Sequence, residues 1–317
     1  MLSQGRDLHI DAVLSNIMVG RKPVGFVADQ LVPIVNVGKQ SNVYFKSQYK
    51  EQLMHQVNLT TRAKGAESRE VYFTVSSDTY YAKNYALGTR WFQEDVVNAD
   101  DPIRLRERSA TLVTNRLLVD YEYRVAALAG VAANISTLTH VATAWSNTTG
   151  SRIVDDVATQ LEAFRTQNTV KANVMVIPEE VATYVRRNDQ VRDFLFGDRG
   201  GIASEQQLAS LFNVERVLVP SARVNTFGPG ESMVGTVAHA AVWPSKVFFA
   251  HVGALNGDQV DTWISAFRWT DPSFGVPWAI RAFDYDSKTR SQKIEAQYYQ
   301  DEKIVSAELC FGIDSVI

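Results

Sequence analysis

The chain has 317 residues, 45% of them hydrophobic, which is typical of a globular protein with one large domain or two of ordinary size. Its formal net charge of -3 argues against a protein that mainly coats nucleic acid, because such domains carry a strong basic excess. Cys310 is the only cysteine, which excludes an intrachain disulfide and a zinc site of several thiolates, so we expect folding inside the cell.

The first segment, residues 1–38, has no helical or strand period that lasts. Pro23, Gly25 and Pro33 interrupt its short apolar groups. Its first ten residues lack the apolar core of a signal peptide, and no later stretch approaches the roughly 18 apolar residues of a membrane-spanning helix. We therefore predict an extended arm. Such an arm buries little of itself, so it should lie on another surface, such as a neighbouring subunit.

The second segment, residues 39–98, is polar and basic in its first half. Apolar residues alternate at Val43 and Phe45 and again at 71–75, with Gly65 between them, which predicts a long two-stranded hairpin. An isolated hairpin is only marginally stable, so this one should rest either on its own domain or on a neighbour. Six cations are our candidates for contacts between subunits: Lys39, Lys46, Lys50, Arg62, Lys64 and Arg69.

A long helix is predicted from Asp101-Pro102, where an N-capping Asp precedes Pro at the first helical position, to about Gly130. It would extend roughly 45 Å at 1.5 Å per residue. A helix of this length fits a strut that crosses the subunit, and a plain core helix is the alternative. One apolar stripe follows it, formed by Val113, Leu117, Tyr121, Val125 and Leu128.

The following residues predict a small α/β unit and then a β-rich end. Helix signals are Pro178 before two glutamates and a capping-box pattern at Ser204 and Gln207. The predicted elements are a helix at 153–164, a strand at 172–177, a helix from 178, a helix after 204 and a strand at 214–219. Beyond residue 235 they are strands at 246–252 and 262–269, a hairpin of 278–285 with 291–299, and a last strand at 303–313.

No catalytic, cofactor-binding or metal-binding residue is predicted. The chain contains neither a P-loop nor a G-x-S-x-G nucleophile elbow, and its five histidines show no H-E-x-x-H pattern. Gly228, Gly230 and Gly235 have the wrong spacing for a dinucleotide loop. Cys310 stands in an apolar, strand-like stretch, which favours a packing role.

The order of several stretches resembles the major capsid proteins of tailed bacteriophages that share the Hong Kong 97 fold. The similarity spans nearly the whole chain. The stretches are Ser15-Asn16-Ile17, Gly25-Phe26-Val27-Ala28-Asp29-Gln30, Pro33-Ile34-Val35, Val37-Gly38-Lys39-Gln40-Ser41, residues 80–88, Asp101-Pro102 and residues 212–219.

The resemblance implies an α+β fold in four parts. These are an N-terminal arm (1–38), an extended β-hairpin loop (39–98), a peripheral domain with a long spine helix (99–170 and 270–317) and an axial α/β domain (171–269). It also implies a major capsid protein that self-assembles into the hexamers and pentamers of an icosahedral shell around double-stranded DNA, in the host cytoplasm, without enzymatic activity or a cofactor. The implied partners are other copies of the chain, scaffold, portal and decoration proteins, and DNA contacted without sequence specificity, with no membrane.

Three alternatives remain open from the sequence. An encapsulin has the same fold and packages enzymes, so the contents of the shell distinguish it. A cytoplasmic enzyme with its active site in 171–269 would behave as a monomer. A nucleic-acid-binding protein working through 39–69 would bind with steep salt dependence. If the cations contact neighbouring subunits instead, neutral replacements of Lys46, Lys50, Arg62 and Lys64 should impair assembly.

Overall fold

The computed structural model describes residues 9–10, 25–46, 60–70, 76–98, 105–168, 170–197, 200–225, 239–256, 259–272, 275–276 and 278–317. Helices and strands are mixed along these residues, which confirms the predicted α+β class. The helices are α1 (Ala28–Leu31), α2 (Gln93–Asn98), α3 (Leu105–Gly130), α4 (Ile153–Gln167), α5 (Glu179–Arg187), α6 (Asp189–Phe196) and α7 (Glu205–Phe212), with short 3-10 turns at Ala132–Asn134 and Ala307–Leu309. No helix among these residues is long and apolar enough to cross a membrane.

The strands of the described residues are numbered in chain order. They are β1 (His9–Ile10), β2 (Ile34–Val37), β3 (Ser41–Lys46), β4 (Ser76–Tyr81), β5 (Lys83–Phe92), β6 (Thr137–His140), β7 (Val174–Val176), β8 (Arg216–Leu218), β9 (Arg223–Asn225), β10 (His239–Ala241), β11 (Val247–Ala250), β12 (Val252–Asn256), β13 (Gln259–Thr262), β14 (Ile264–Trp269), β15 (Trp278–Ala282), β16 (Ser291–Ile304) and β17 (Cys310–Asp314).

A six-stranded sheet is built around the long strand β16. Strands β15 and β14 follow each other along one of its edges, and β5 pairs with the other edge. Helix α3 lies across this sheet and packs Val113 and Leu117 against Ile294 and Tyr298. The predicted helix and its stripe are confirmed, since its first four stripe residues are buried and the last, Leu128, is half-buried. The predicted start at 101–102 lies outside the described residues, and the 26 residues seen extend about 39 Å.

A five-stranded sheet, in the order β6-β17-β11-β7-β8, separates two hydrophobic cores. Successive side chains of a strand point to opposite faces. On β11, Phe248 therefore packs into the core shared with α3, whereas Phe249 packs against α4 to α7. Both faces are covered, which explains the continuous apolar run at 247–250. Ser204 and Gln207 form the predicted capping box at the start of α7.

Over residues 25–37 the surface on which the arm lies is its own subunit and not a neighbour. Val27, Ala28, Leu31 and Val32 are buried in the subunit's own core, and β2 pairs in parallel with β14. This part of the arm therefore lies on its own subunit. Four buried residues within six positions were too few to reveal a helical period.

The predicted last strand at 303–313 is a strand at both ends but is interrupted in its middle. Strand β16 continues to Ile304, and a 3-10 turn at Ala307–Leu309 then leads into β17, which belongs to the other sheet. Apolar residues continue through this change of sheet because Val305 and Leu309 are buried as well. A hydrophobic pattern alone therefore gave no sign of the break.

Candidate assembly surface

The predicted hairpin is present as the antiparallel pair β3 and β4. The pairing runs from Ser41 opposite Tyr81 to Lys46 opposite Ser76, and the predicted strand residues 71–75 lie outside the described residues. Residues that face each other across the pair share one side of the ribbon. One side consequently carries Tyr44 and Tyr80, and the other carries Val43, Phe45 and Tyr81.

The tyrosine side of the hairpin is clamped to the six-stranded sheet. The ring centroids of Tyr44 and Tyr80 each lie 4.8 Å from that of Phe267 on β14. The Tyr44 hydroxyl donates to the carbonyl of Ile304 at 3.2 Å, and the Tyr80 hydroxyl donates to that of Lys39 at 3.2 Å. Burial raises the pKa of Tyr44, so its hydroxyl remains a donor at physiological pH. The base of the hairpin thus has a fixed direction.

The opposite side of the hairpin is uncovered in the subunit. Val43, Phe45 and Tyr81 are 51%, 61% and 55% exposed. Single exposed apolar residues are normal on protein surfaces, but large ones grouped on one side mark an interaction site. This surface, Val43 with Phe45 and Tyr81, is called the outer hairpin face below.

Residues 60–70 continue the loop without cover, since all of them are exposed. The amide of Ala66 donates to the carbonyl of Ala63 at 3.1 Å, which closes a tight turn. Gly65 has φ +84, a left-handed conformation that glycine adopts without steric cost. Arg62 and Lys64 are therefore presented to solvent on a narrow turn of small residues.

The six predicted cations have different surroundings. The Lys46 ammonium lies 3.0 Å from the Asp78 carboxylate on the same hairpin, and this hydrogen bond lowers the pKa of Asp78. Lys39 and Arg69 are exposed, as are the two cations of the turn. Lys50 lies outside the described residues. The contacts of these six cations with a neighbour stay a prediction.

A buried carboxylate that the sequence did not reveal anchors the arm to the spine helix α3. Glu122 is 1% exposed and accepts hydrogen bonds from the amides of Val27 at 3.1 Å and Ala28 at 2.9 Å, and from the Trp243 indole at 2.7 Å. Burial raises the pKa of the Glu122 carboxyl, although the three donors oppose the shift. Local patterns gave no signal because the donors lie 94 to 121 positions away in sequence.

A cluster around Arg124, called the Arg124 cluster below, fixes the same helix to the six-stranded sheet. Arg124 donates to both carboxylate oxygens of Glu302, at 2.9 and 3.2 Å, and to the Tyr298 hydroxyl at 2.8 Å. Its guanidinium lies 3.6 Å from the ring centroid of Tyr85 on β5, and it also contacts Asp120. Helix α3, β5 and β16 are thereby held as one unit.

The described residues were also compared with two kinds of chemical site, a metal centre and a reactive thiol. They contain no group of three or more His, Cys, Asp or Glu side chains placed to hold a metal ion. The thiol of Cys310 is fully buried, and burial raises its pKa, which fits a packing role and opposes nucleophilic chemistry.

The chain is similar in sequence to a phage capsid protein and in fold to a phage-related protein and a phage capsid. No family model matches it. It is 25% identical over 230 residues to the major capsid protein of Pseudomonas phage JBD67, covering 70% of this chain and 72% of the relative. A phage-related protein from Bordetella bronchiseptica RB50 matches with a TM-score of 0.72 at 17% identity, covering 99% of this chain and 98% of that one. The capsid protein of Myoviridae phage XM1 matches with a TM-score of 0.54 at 11% identity, covering 92% of both.

Proposed function

We propose that this chain, which is a tailed-phage major capsid protein with the Hong Kong 97 fold, forms the hexamers and pentamers of an icosahedral head around double-stranded DNA. The observation that carries the proposal is the hairpin β3–β4. Its tyrosine side is clamped to its own sheet, while its outer face and the turn at 60–70 are exposed. A neighbouring copy would cover what the single subunit leaves open.

The division into clamped and exposed parts suits a shell in which one chain occupies several environments. The two sheets and the spine helix would act as a rigid body, because a packed core deforms little. Within the loop (39–98), the part beyond the clamped base of the hairpin would bend to meet the adjacent copy in rings of five or six, while β5 stays in the sheet. In this proposal the peripheral domain is 99–170 with 270–317 and the axial domain is 171–269, as the resemblance implies.

Burial of the outer hairpin face would contribute to each contact. Complete burial of one large apolar side chain is worth about 1.5–3 kcal/mol, so covering three half-exposed ones contributes on the order of 3 kcal/mol per hairpin. That is weak for a single contact. A closed ring repeats it at every interface, which makes the assembly strong although each pairwise contact is not.

The proposal also includes contacts with DNA and with other proteins of the phage head. The packaged DNA would be contacted without sequence specificity, and only weakly, because the formal net charge of -3 gives the chain little general attraction for phosphates. Assembly would take place in the host cytoplasm with scaffold, portal and decoration proteins. The subunit would build the shell without carrying out a reaction.

Electron microscopy of the expressed, purified chain tests the proposal directly. We expect closed icosahedral particles, and particles from infected cells that contain double-stranded DNA. A specific enzyme as the cargo would instead indicate an encapsulin compartment. A monodisperse monomer by light scattering, at concentrations where capsid proteins form capsomers, would contradict self-assembly.

Two variants test where the assembly contact lies. F45S/Y81S makes the outer hairpin face polar without touching the tyrosine clamp, and we expect the yield of particles to fall by at least about tenfold, because a loss of roughly 1.4 kcal/mol per contact already changes each association constant tenfold. R62Q/K64Q tests the cations of the turn. Its matched control is R152Q/R165Q. This variant removes two exposed arginines, Arg152 at the N-cap of α4 and Arg165 within the helix, and should assemble normally. Equal yields from all variants would argue against the hairpin as the contact.

A further inference from the structure

The spine helix α3 has a second, uncovered face opposite the stripe that packs on the sheet. Arg108, Leu112, Arg116, Val119 and Tyr123 recur at intervals of three or four residues and therefore share one side of the helix. Leu112 is 48% exposed and Tyr123 is 54% exposed. From the first to the last of these residues the face extends about 22 Å. It is called the outer spine face below.

The outer spine face is cationic. Within the described part of the chain, neither Arg108 nor Arg116 forms an ion pair or hydrogen bond. Two acids of α3 lie near them: Asp120 is held by Arg124, which Glu302 also engages, and Glu107 has an interaction of its own. Two guanidinium groups thus alternate with apolar side chains along one face, on a chain whose net charge is -3. A ligand for this face should carry both negative charge and apolar side chains.

We propose that the outer spine face binds an acidic amphipathic helix of a partner protein. Carboxylates of the partner would pair with Arg108 and Arg116, and its apolar residues would cover Leu112, Val119 and Tyr123. A helix matches this face because two packed helices interlock side chains that recur every three or four residues. Since Arg124 ties α3 to the sheet, the partner would meet a face that is already in place.

DNA fits the outer spine face less well. Two phosphate contacts give only weak binding, because affinity for DNA grows with the number of neutralised phosphates. Phosphates would also leave Leu112 and Val119 without apolar contact. The combination of few cations with several apolar side chains favours a protein helix over a nucleic acid.

A second copy of this chain is also a poor ligand among the described residues. Helix α4 is acidic at its start, but its apolar residues Ile153, Val157 and Phe164 are buried in the subunit's own core. Helix α2 carries Glu94 and Asp95 beside an exposed Val97. Its six residues span only about 9 Å, less than half of the outer spine face. The partner is therefore expected to be a different protein.

A synthetic peptide tests the proposal on assembled particles. The probe is a fluorescent amphipathic helix of about 18 residues, roughly 27 Å long, with leucines on one side and glutamates flanking them. A second peptide has lysine in place of every glutamate. Fluorescence anisotropy should show binding of the glutamate peptide, weaker at higher salt, and at least about tenfold weaker binding of the lysine peptide, because two exposed ion pairs become two repulsions.

Variants locate the binding site. R108E/R116E should reduce the affinity for the glutamate peptide by about tenfold or more, R108Q/R116Q by less, and L112S should also weaken binding. The control R152E/R165E makes the same charge change on an exposed surface away from α3 and should bind like the wild type. Equal binding by R108E/R116E and the control, or equal binding of both peptides, would overturn the proposal.

DNA is the competing outcome. If a duplex of about 20 base pairs displaces the peptide with a salt dependence that R108E/R116E abolishes, the face is a phosphate site and the protein-helix proposal fails. Particle formation by R108E/R116E is monitored separately by electron microscopy. Normal wild-type particles that do not bind the glutamate peptide would reject this inference and leave the proposed shell function intact.

Discussion

Replacing Glu122 by Ala should release the N-terminal arm from the spine helix. The carboxylate of Glu122 is the shared acceptor for the amides of Val27 and Ala28 and for the indole of Trp243. Alanine leaves these donors without a partner in a buried place. The substitution therefore acts on the arm and on the segment before β11 at the same time.

The size of the effect follows from the three donors. An unsatisfied buried donor costs about 1–3 kcal/mol, so three of them cost at least about 3 kcal/mol before any water enters. This corresponds to a roughly hundredfold increase in the open population of the arm. E122Q should be milder. Its amide oxygen can still accept from Val27 and Trp243, whereas its amino group faces the Ala28 donor.

The pH dependence of this anchor has a defined sign. Burial raises the pKa of Glu122 in the folded subunit above its unfolded value, so the folded state binds the proton more tightly. The stability that this group contributes is therefore greatest below its unfolded pKa and is lost as the pH rises through the raised folded value. The free energy of unfolding of the wild type, measured relative to E122Q, should fall over that interval.

Hydrogen exchange followed by mass spectrometry measures the opening of the arm in assembled particles. In E122A the amides of 27–37 should exchange roughly a hundredfold faster, while those of β11 and β17 keep their protection. E162A is the matched control, since Glu162 is exposed and forms only a surface ion pair with Arg165. If the amides of 27–37 exchange at the same rate in E122A and E162A, the three hydrogen bonds do not hold the arm in place.

Two further predictions concern the tyrosine clamp on Phe267 and the Arg124 cluster. F267A removes the ring between the two hairpin tyrosines and should destabilise the subunit by about 3–5 kcal/mol, with faster limited proteolysis within β3 and β4. An unchanged cleavage rate would mean that the clamp does not hold the hairpin. R124A leaves Glu302 as an unpaired, nearly buried carboxylate and should cost about 3–5 kcal/mol in chemical unfolding. R165A, which breaks an exposed pair, should cost less than about 1 kcal/mol, and equal costs would contradict the assignment.

The features that the sequence predicted correctly rest on local interactions. Helix α3 repeats its apolar residues over many turns, and the capping box at Ser204 and Gln207 involves residues only three positions apart. Strand β5 carries a comparable signal, because Tyr85, Leu87 and Trp91 lie on one side and are half-buried. Its partner, β16, lies about two hundred positions away, so the sequence does not show that this part of the predicted loop belongs to the sheet.

The outer hairpin face was predictable only in part. Alternation at Val43 and Phe45 indicated a strand, but an alternating strand does not reveal which side its own fold will cover. The covered side is the one that packs against Phe267, which lies more than two hundred residues away along the chain and contacts the rings of Tyr44 and Tyr80. The contacts of Glu122 were hidden for the same reason, since both sites depend on distant segments of the chain.

The arm and the hairpin, both of which the sequence predicts to lie on a neighbouring subunit, differ in the structure. Residues 25–37 of the arm are buried in the subunit's own core, so disturbing them should first reduce the stability of the subunit. The hairpin is held only at its base, and its outer face adds nothing to the stability of the isolated subunit. Changes at Phe45 and Tyr81 should therefore weaken assembly without weakening the fold, whereas a change at Glu122 should do the reverse. We therefore expect the hairpin, and not the described part of the arm, to contribute the free energy of assembly.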